Sequence, residues 1–235
     1  MPGENLPLIL TPRFLAIDTG NEFGSIALLR GPDILEEREL AARDGVGGHL
    51  LEEIAGLLAR HGCELGQIDF IAVSTGPGAF TGVRVGLTAA MGLAESAGCR
   101  IVGVSRLMAM ASLGTRPFRA VLSDARRGEV YAAVYSASLE LVSPEVVTAL
   151  PVWLDAVALQ QQDCEFLLDP GLSLPDHVVS ANLADIQPVP RILSGAVGCV
   201  ALEHWRRGWA VDPAELKANY VRRSDGGLLW TDPRA

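Results

Sequence analysis

One order of strands and helices runs through the first half of the chain and returns, in a shorter form, in the second half. Apolar or alternating segments predict a first strand meander at residues 14–18, 24–30 and 34–41. The meander is followed by predicted helices at 50–61, 81–97 and 106–113, which alternate with strands at 69–74 and 100–104. Helical spacing of the apolar residues supports the first of these helices, and Gly98 ends the second.

A second meander begins with strands at residues 118–123 and 129–135. Strands at 145–148 and 165–168 and helices at 152–161 and 192–206 follow, with a loop-rich stretch at 170–190. The halves share no visible residue-level repeat, so the duplication rests on element order. This order indicates two α/β lobes, residues 1–115 and 116–235, rather than one open sheet.

Composition favours a soluble globular protein, because 49% of the 235 residues are hydrophobic. No apolar run approaches the roughly 20 residues that span a bilayer, and the first ten residues lack the pattern of a signal peptide. We therefore expect a cytoplasmic protein with no membrane partner. The formal charge of −9 argues against binding a polyanion alone, since nucleic-acid affinity depends on Lys and Arg.

Sequence motifs give no support for hydrolytic or metal chemistry. The only lysine, Lys217, lies outside any glycine-rich loop, which excludes a P-loop. The four cysteines form no CxxC pair and the four histidines form no HxxxH or HExxH pair, so we expect no disulfide framework and no metal site. A GxSxG nucleophile elbow is also missing.

Two segments are candidates for contact with a phosphate. Asp18, followed by Thr19, ends a buried strand at a hairpin, where a carboxylate could reach a metal ion beside a nucleotide or simply cap the turn. Gly76 and Gly78 form a turn before a helix, and helix N-termini favour anions. That turn matches neither nucleotide-binding glycine pattern, and Thr81 could serve as the N-cap of the helix.

Small residues recur every four positions in the helix at 81–97, so they form one narrow stripe: Gly82, Gly86, Ala90 and Ala94. Such a stripe lets another backbone approach closely. The neighbouring helix presents an apolar face that includes Leu50, Ile54 and Leu57. These surfaces could pack inside the chain or against a partner.

A charged hairpin tip joins the strands at 118–123 and 129–135 and contains Asp124, Arg126 and Arg127. The tip is an ordinary solvated turn on one interpretation. On the other, the arginine pair binds acidic residues or a phosphate.

Several of these segments resemble the bacterial TsaB proteins, also called YeaZ-like, of the threonylcarbamoyl-tRNA pathway. LAIDTG at residues 15–20 is similar to the start of that family, and STGPGAFTGVRVGLTAAMGLA at 74–94 is similar to its most diagnostic stretch. DARRGEVYAAVY at 124–135 resembles its second-lobe hairpin, and PAELKANYVRR at 213–223 resembles its ending more loosely.

This resemblance implies a two-lobed actin-like and sugar-kinase ATPase fold, ribonuclease H-like in each lobe, with a reduced second lobe. It implies a non-catalytic subunit that pairs with a homologous catalytic subunit, TsaD, through first-lobe helices, joined by the small ATPase TsaE. Contact with tRNA would occur only through the complex, which would use ATP, while this chain would hold no cofactor tightly and would form a homodimer when alone. The predicted partner-binding residues are Leu50, Ile54, Leu57, Gly82, Gly86, Ala90 and Ala94.

The chain differs at one place from the catalytic subunit and at two places from the TsaB pattern that it resembles. The catalytic subunit carries two metal-binding histidines four residues apart, and by the resemblance Arg106 and Met110 stand in their place. Neither side chain replaces a neutral imidazole at a metal centre. Gly20 stands where TsaB proteins usually have serine, and residues 44–48 lack their customary His-Ser pair.

We therefore predict a scaffold and activator subunit of the complex that adds a threonylcarbamoyl group to adenosine 37 of tRNA. One alternative is a stand-alone ATPase or kinase of the same fold, which Asp18 and the glycine turn would serve. The other is a glycoprotease-like metallopeptidase, which the missing metal ligands disfavour.

Overall fold

The structure is a computed structural model that describes residues 11–40, 48–158, 163–174 and 186–221. The strands of the first half are β1 Arg13–Asp18, β2 Ser25–Arg30, β3 Asp33–Glu39, β4 Phe70–Ser74 and β5 Arg100–Val104. Those of the second half are β6 Phe118–Asp124, β7 Glu129–Ser136, β8 Leu141–Ala149, β9 Cys164–Leu168 and β10 Ile186–Pro188. The helices are α1 Leu50–Arg60, α2 Phe80–Ala97, α3 Arg106–Ala111, α4 Leu150–Trp153, which continues as a π-helical turn Leu154–Ala158, and α5 Ser194–Arg206.

The two sheets have the same topology. The first has the strand order β3-β2-β1-β4-β5 and the second β10-β9-β6-β7-β8. In each lobe, the first three strands are antiparallel neighbours, and the remaining two add in parallel beside the first strand. Because both lobes repeat this mixed order, the predicted two-lobed actin-like fold is confirmed.

Helices separate the sheets and cover their outer faces. On the outer face of the first sheet, α1 and α2 bury an apolar cluster with β1 and β4. Between the sheets, α5 packs mainly on the first sheet and α3 packs on the second, and the two helices contact each other. Trp153 and Leu154 cover the far face of the second sheet. The side of α1 and α2 opposite this apolar cluster faces away from the first-lobe core.

Helix α5 belongs by sequence to the second half but contacts β1, β2, β4 and β5 of the first sheet. The proposed limits, 1–115 and 116–235, stay a prediction, because the chain returns to the first sheet after completing the second.

Most predicted elements are present with small shifts at their ends. Gly98 ends α2 in the left-handed region, at φ 66°, as its position after the apolar pattern suggests. Thr81 is not the N-cap, because α2 begins at Phe80 and its N-cap is Ala79, which makes no side-chain cap. The predicted helix at 152–161 begins earlier, at Leu150, and is followed as far as Ala158, because residues 159–161 lie outside the described residues. Strand β10 lies inside the stretch expected to be loop.

Candidate functional site

An open groove of about 730 Å³ lies between α1 and α2, on the side of these helices away from the sheet. Leu51 and Phe80 keep 59% and 44% of their surface exposed there. The residues that line the groove include Leu50, Leu51, Phe80, Arg84, Val85, Ala89 and Leu93. The groove is thus an apolar surface on the two helices that the sequence singled out.

The small-residue stripe of α2 faces the chain itself. A Cβ added at Gly86 would lie 2.1 Å from Thr19 Oγ1, and one at Gly82 would lie 2.1 Å from the Thr19 carbonyl oxygen. Ala90 and Ala94 are fully buried in the first-lobe core. The prediction that this stripe faces a partner is therefore corrected: it lets α2 approach the turn after β1.

The predicted apolar face of α1 is also largely internal. Ile54 is 2% exposed and Leu57 is fully buried in the first-lobe core, so neither presents surface to a partner. Leu50 is 2% exposed and still lines the groove. The residue of α1 with most exposed apolar surface is instead Leu51, which lies off the core stripe.

Three side chains that the sequence did not single out meet at one end of the groove. The guanidinium of Arg84 lies 3.7 Å from the ring centroid of Phe80, and its Nε donates to Tyr220 Oη at 3.0 Å. Tyr220 is 50% exposed and belongs to residues 213–221, which we call the C-terminal strap. Aromatic and arginine side chains are the types enriched at the centres of protein interfaces.

The sequence of α2 contains a second apolar stripe, which lines the groove. Val85, Ala89 and Leu93 recur every four residues on a different side from the buried stripe. A helix that is apolar on two sides is typically covered on both. The pattern indicates two contacts but does not tell which one is external.

The four residues predicted to face a phosphate do lie together. The amide of Gly20 donates to Asp18 Oδ1 at 3.0 Å, so Asp18 caps its turn. Thr19 Oγ1 donates to the Gly82 carbonyl at 2.7 Å. A Cβ at Gly78 would lie 2.2 Å from the Gly20 carbonyl oxygen, and the Gly76 carbonyl accepts the amide of Arg106 at 2.8 Å. These four residues therefore contact other residues of the same chain around the turn after β1.

Arg106 occupies the space between the two sheets beside Asp18. Its side chain is 1% exposed and its Nε donates to Asp18 Oδ2 at 3.3 Å. Its two terminal nitrogens donate to the carboxylate of Asp169 at 3.2 and 3.0 Å, and Nη1 also donates to Ser123 Oγ at 3.1 Å. Met110, four residues along α3, lies beside the same nitrogen with its sulfur 3.7 Å away. One guanidinium therefore bonds carboxylates from both lobes.

The hairpin between β6 and β7 turns through two non-glycine residues in the left-handed region, Arg126 at φ 64° and Arg127 at φ 57°. Asp124 Oδ1 accepts the amide of Arg126 at 2.7 Å, which fixes the turn. The Arg126 side chain reaches Glu22 in the β1–β2 turn at 3.6 Å. The acidic contact predicted for this tip thus comes from the chain's own first lobe, and its solvent exposure makes it weak.

Within residues 11–40, 48–158, 163–174 and 186–221, no group of three or more His, Cys, Asp and Glu side chains is placed to hold a metal ion. None of the helices in those ranges has the length and apolar character needed to cross a bilayer.

Comparison with known proteins links this architecture to one family. The model of the TsaD family, described as tRNA N6-adenosine threonylcarbamoyltransferase, matches residues 42–161. The tRNA threonylcarbamoyladenosine biosynthesis protein TsaB of Bacillus subtilis is 35% identical over 161 residues, 65% of this chain and 69% of that protein. TsaB of Escherichia coli is 40% identical over 129 residues, 52% of this chain, and the match spans about half, 54%, of that protein.

The solved structure of YeaZ from Pseudomonas aeruginosa superimposes on this chain with a TM-score of 0.73 at 25% identity, covering 89% of this chain and 99% of that one. The Bacillus subtilis match extends over more than two thirds of a protein named TsaB, and the two-lobed architecture agrees with that of YeaZ. The chain therefore belongs to the TsaB (YeaZ-like) family, whose relatives are named for tRNA threonylcarbamoyladenosine biosynthesis.

Proposed function

We propose that this chain is the non-catalytic scaffold and activator subunit of the complex that adds a threonylcarbamoyl group to adenosine 37 of tRNA. It acts by forming a heterodimer with a TsaD-like catalytic subunit. The observation that carries this proposal is the open apolar groove between α1 and α2, with Phe80, Arg84 and Tyr220 at one end.

The groove has the composition of an interface. Leu51, Phe80 and Tyr220 each leave 44 to 59% of their surface exposed. Leu51 and Phe80 line the groove, and the ring centroid of Tyr220 lies 5.8 Å from that of Phe80. Contiguous exposed apolar surface is a feature of binding sites on proteins of this size. Arg84 stacks on a ring with its charge held in place, so it can bond a carboxylate of the partner at low entropic cost.

The match to the TsaD model supports a TsaD-like partner. Because residues 42–161 resemble that family, the two subunits would share the arrangement of α1 and α2 on a first-lobe sheet. Two related chains can then meet through equivalent helices about an approximate twofold axis, as identical subunits do in isologous dimers.

The contacts of Asp18 and of the glycine turn support a non-catalytic role for this chain. Asp18 is committed to Arg106 and to the Gly20 amide, and the glycine turn packs against the turn after β1. A nucleotide at this place would have to displace these contacts. The proposal therefore assigns ATP to the partner complex, which includes a TsaE-like ATPase, and leaves this chain without a tightly held cofactor.

Contact with tRNA is likewise assigned to the complex in the cytoplasm. The formal charge of −9 makes this chain repel phosphates on average, so the basic surface must come from another subunit.

Reconstitution tests the function directly. The TsaD-like and TsaE-like proteins of the same organism are incubated with tRNA, ATP and the threonylcarbamoyl donor, with and without this chain, and modified adenosine is quantified by mass spectrometry. Modification should require this chain, and this chain with TsaE-like protein alone should give none. An unchanged rate without this chain would refute the role.

The stand-alone ATPase is separated from this role by titrating ATP–Mg²⁺ into the isolated chain by calorimetry. Micromolar affinity together with turnover would favour the ATPase. The scaffold role predicts neither, because the Asp18 carboxylate is already paired.

A further inference from the structure

Between the two sheets, the positively charged guanidinium of Arg106 is bonded by oxygen atoms of three side chains. We propose that Asp18, Asp169 and Ser123 form a cation site whose resident cation is the guanidinium of Arg106, and that a divalent cation takes its place when this side chain is shortened. The site ties the lobes together whether or not the chain pairs with a partner.

The buried charges of this site are unequal in number. The side chains of Arg106, Asp18 and Asp169 are 1%, 2% and 12% exposed, so one positive charge is buried against two negative ones. Burial opposes the charge of the guanidinium, but the neighbouring Asp169 and then Asp18 outweigh it and raise the pKa of Arg106. Two carboxylates that lost this cation would remain buried without compensation.

Most of the polar atoms around the guanidinium are oxygens. The guanidinium is bonded by oxygens of the two carboxylates and by the hydroxyl oxygen of Ser123, which also donates to Asp169, and the Met110 sulfur lies 3.7 Å from Nη1. Oxygen donors of this kind suit Mg²⁺, Ca²⁺ and Mn²⁺, which bind through one or two carboxylates and retain several waters. A divalent ion with its waters would neutralise the pair and occupy the space that the arginine vacates.

The three side chains of the site come from both sheets. Asp18 ends β1 of the first sheet, whereas Ser123 lies in β6 and Asp169 follows β9 of the second sheet. A Cβ at residue 20 would lie 2.7 Å from Arg106 Cδ, so glycine at this position leaves room for the arginine. The departure from serine at residue 20 and the arginine at residue 106 are thus two parts of one arrangement.

The test follows the thermal unfolding of wild type and Arg106→Ala with and without MnCl₂, together with Mn²⁺ binding by electron paramagnetic resonance. Arg106→Ala should bind Mn²⁺, and its midpoint should rise by about 5–10 °C when Mn²⁺ exceeds the dissociation constant about 100-fold. Wild type should show neither effect. The double variant Arg106→Ala, Asp169→Asn should lose most of the rise, because half of the carboxylate pair is gone.

A folded Arg106→Ala variant whose midpoint responds to Mn²⁺ no more than wild type would overturn the proposal. If Arg106→Ala folds only when Mn²⁺ is present, the proposal is supported. If it fails to fold even with Mn²⁺, the proposal is overturned, and the neutral variant Arg106→Ala, Asp18→Asn, Asp169→Asn shows the reason. Folding of the neutral variant would show that the carboxylates cannot accept a metal cation, and its failure would show that the arginine stem rather than its charge is needed; either result overturns the proposal.

Discussion

At the scale of single residues, Gly86 of α2 lies directly against Thr19 after β1. The added Cβ would overlap the Thr19 hydroxyl, which is itself bonded to the Gly82 carbonyl. A side chain at residue 86 would therefore act on folding. It would not reach a partner bound in the groove, because the groove lies on another side of α2.

We predict that Gly86→Ala lowers the free energy of unfolding by about 1–3 kcal/mol, the usual range for forcing extra atoms into a packed contact. The cost should shrink in a Thr19→Ala background, because the overlapping hydroxyl is removed. Urea denaturation of the four proteins measures this coupling.

Gly92→Ala is the matched control in the same helix, since nothing lies within 4 Å of its added Cβ. It should stabilise the protein by roughly 0.5–1 kcal/mol through helix propensity alone. Equal destabilisation by Gly86→Ala in both backgrounds would contradict the contact with Thr19.

At the scale of elements, the C-terminal strap joins the two lobes to the groove. The Asn219 amide donates to the Thr75 carbonyl at 2.8 Å, and its side chain donates to Glu145 Oε2 of β8 at 2.5 Å. The other oxygen of Glu145 accepts from Ser105 and Tyr135. The strap in turn places Tyr220 beside Arg84, so one carboxylate in the second lobe helps to build the groove end in the first.

Lys217 lies in this strap and is the only lysine of the chain, so cleavage by endoproteinase Lys-C reports when the strap detaches. We predict that Glu145→Ala speeds this cleavage by roughly 10- to 100-fold, because lost hydrogen bonds to a charged group cost about 1.5–3 kcal/mol. Glu140→Ala, an exposed change in the turn before β8, is the control and should leave the rate unchanged. Equal rates in wild type and Glu145→Ala would contradict the anchoring role.

The elements of the first lobe could be predicted because their apolar spacing is regular, as in α1 and α2. The sequence did not show which side of α2 meets a partner, since both stripes satisfy the same helical period. Strand β10 was not predicted, because three residues ending in Pro188 carry almost no strand signal. The bond between Arg106 and Asp169 joins residues 63 apart, so only the folded chain brings them together.

At the scale of the whole molecule, the two sheets enclose α3 and α5, whereas α1 and α2 pack on the first sheet from outside and, among the described residues, leave an open groove on their other side. The exposed side of this helix pair is the surface through which a second chain, related or identical, would complete a helical layer. Alone, the protein would satisfy that surface by self-association.

We predict that the isolated protein forms a dimer at high concentration in sedimentation velocity and that Leu51→Glu shifts it toward monomer. The charge would be buried without a partner at the centre of the contact. A strict monomer at all concentrations would contradict self-association through the groove, and a dimer that Leu51→Glu leaves unchanged would place the contact elsewhere.

The most direct test of the central claim is the affinity for the TsaD-like protein of the same organism, measured by calorimetry for wild type, Leu51→Glu and Leu141→Glu. The two leucines are 59% and 54% exposed, but only Leu51 lies in the groove, so they form a matched pair. Pairing through the groove predicts a complex that Leu51→Glu weakens by roughly 30-fold or more, as expected for a central interface residue, and that Leu141→Glu leaves nearly unchanged. No complex with wild type, or equal affinity of all three proteins, would contradict the claim.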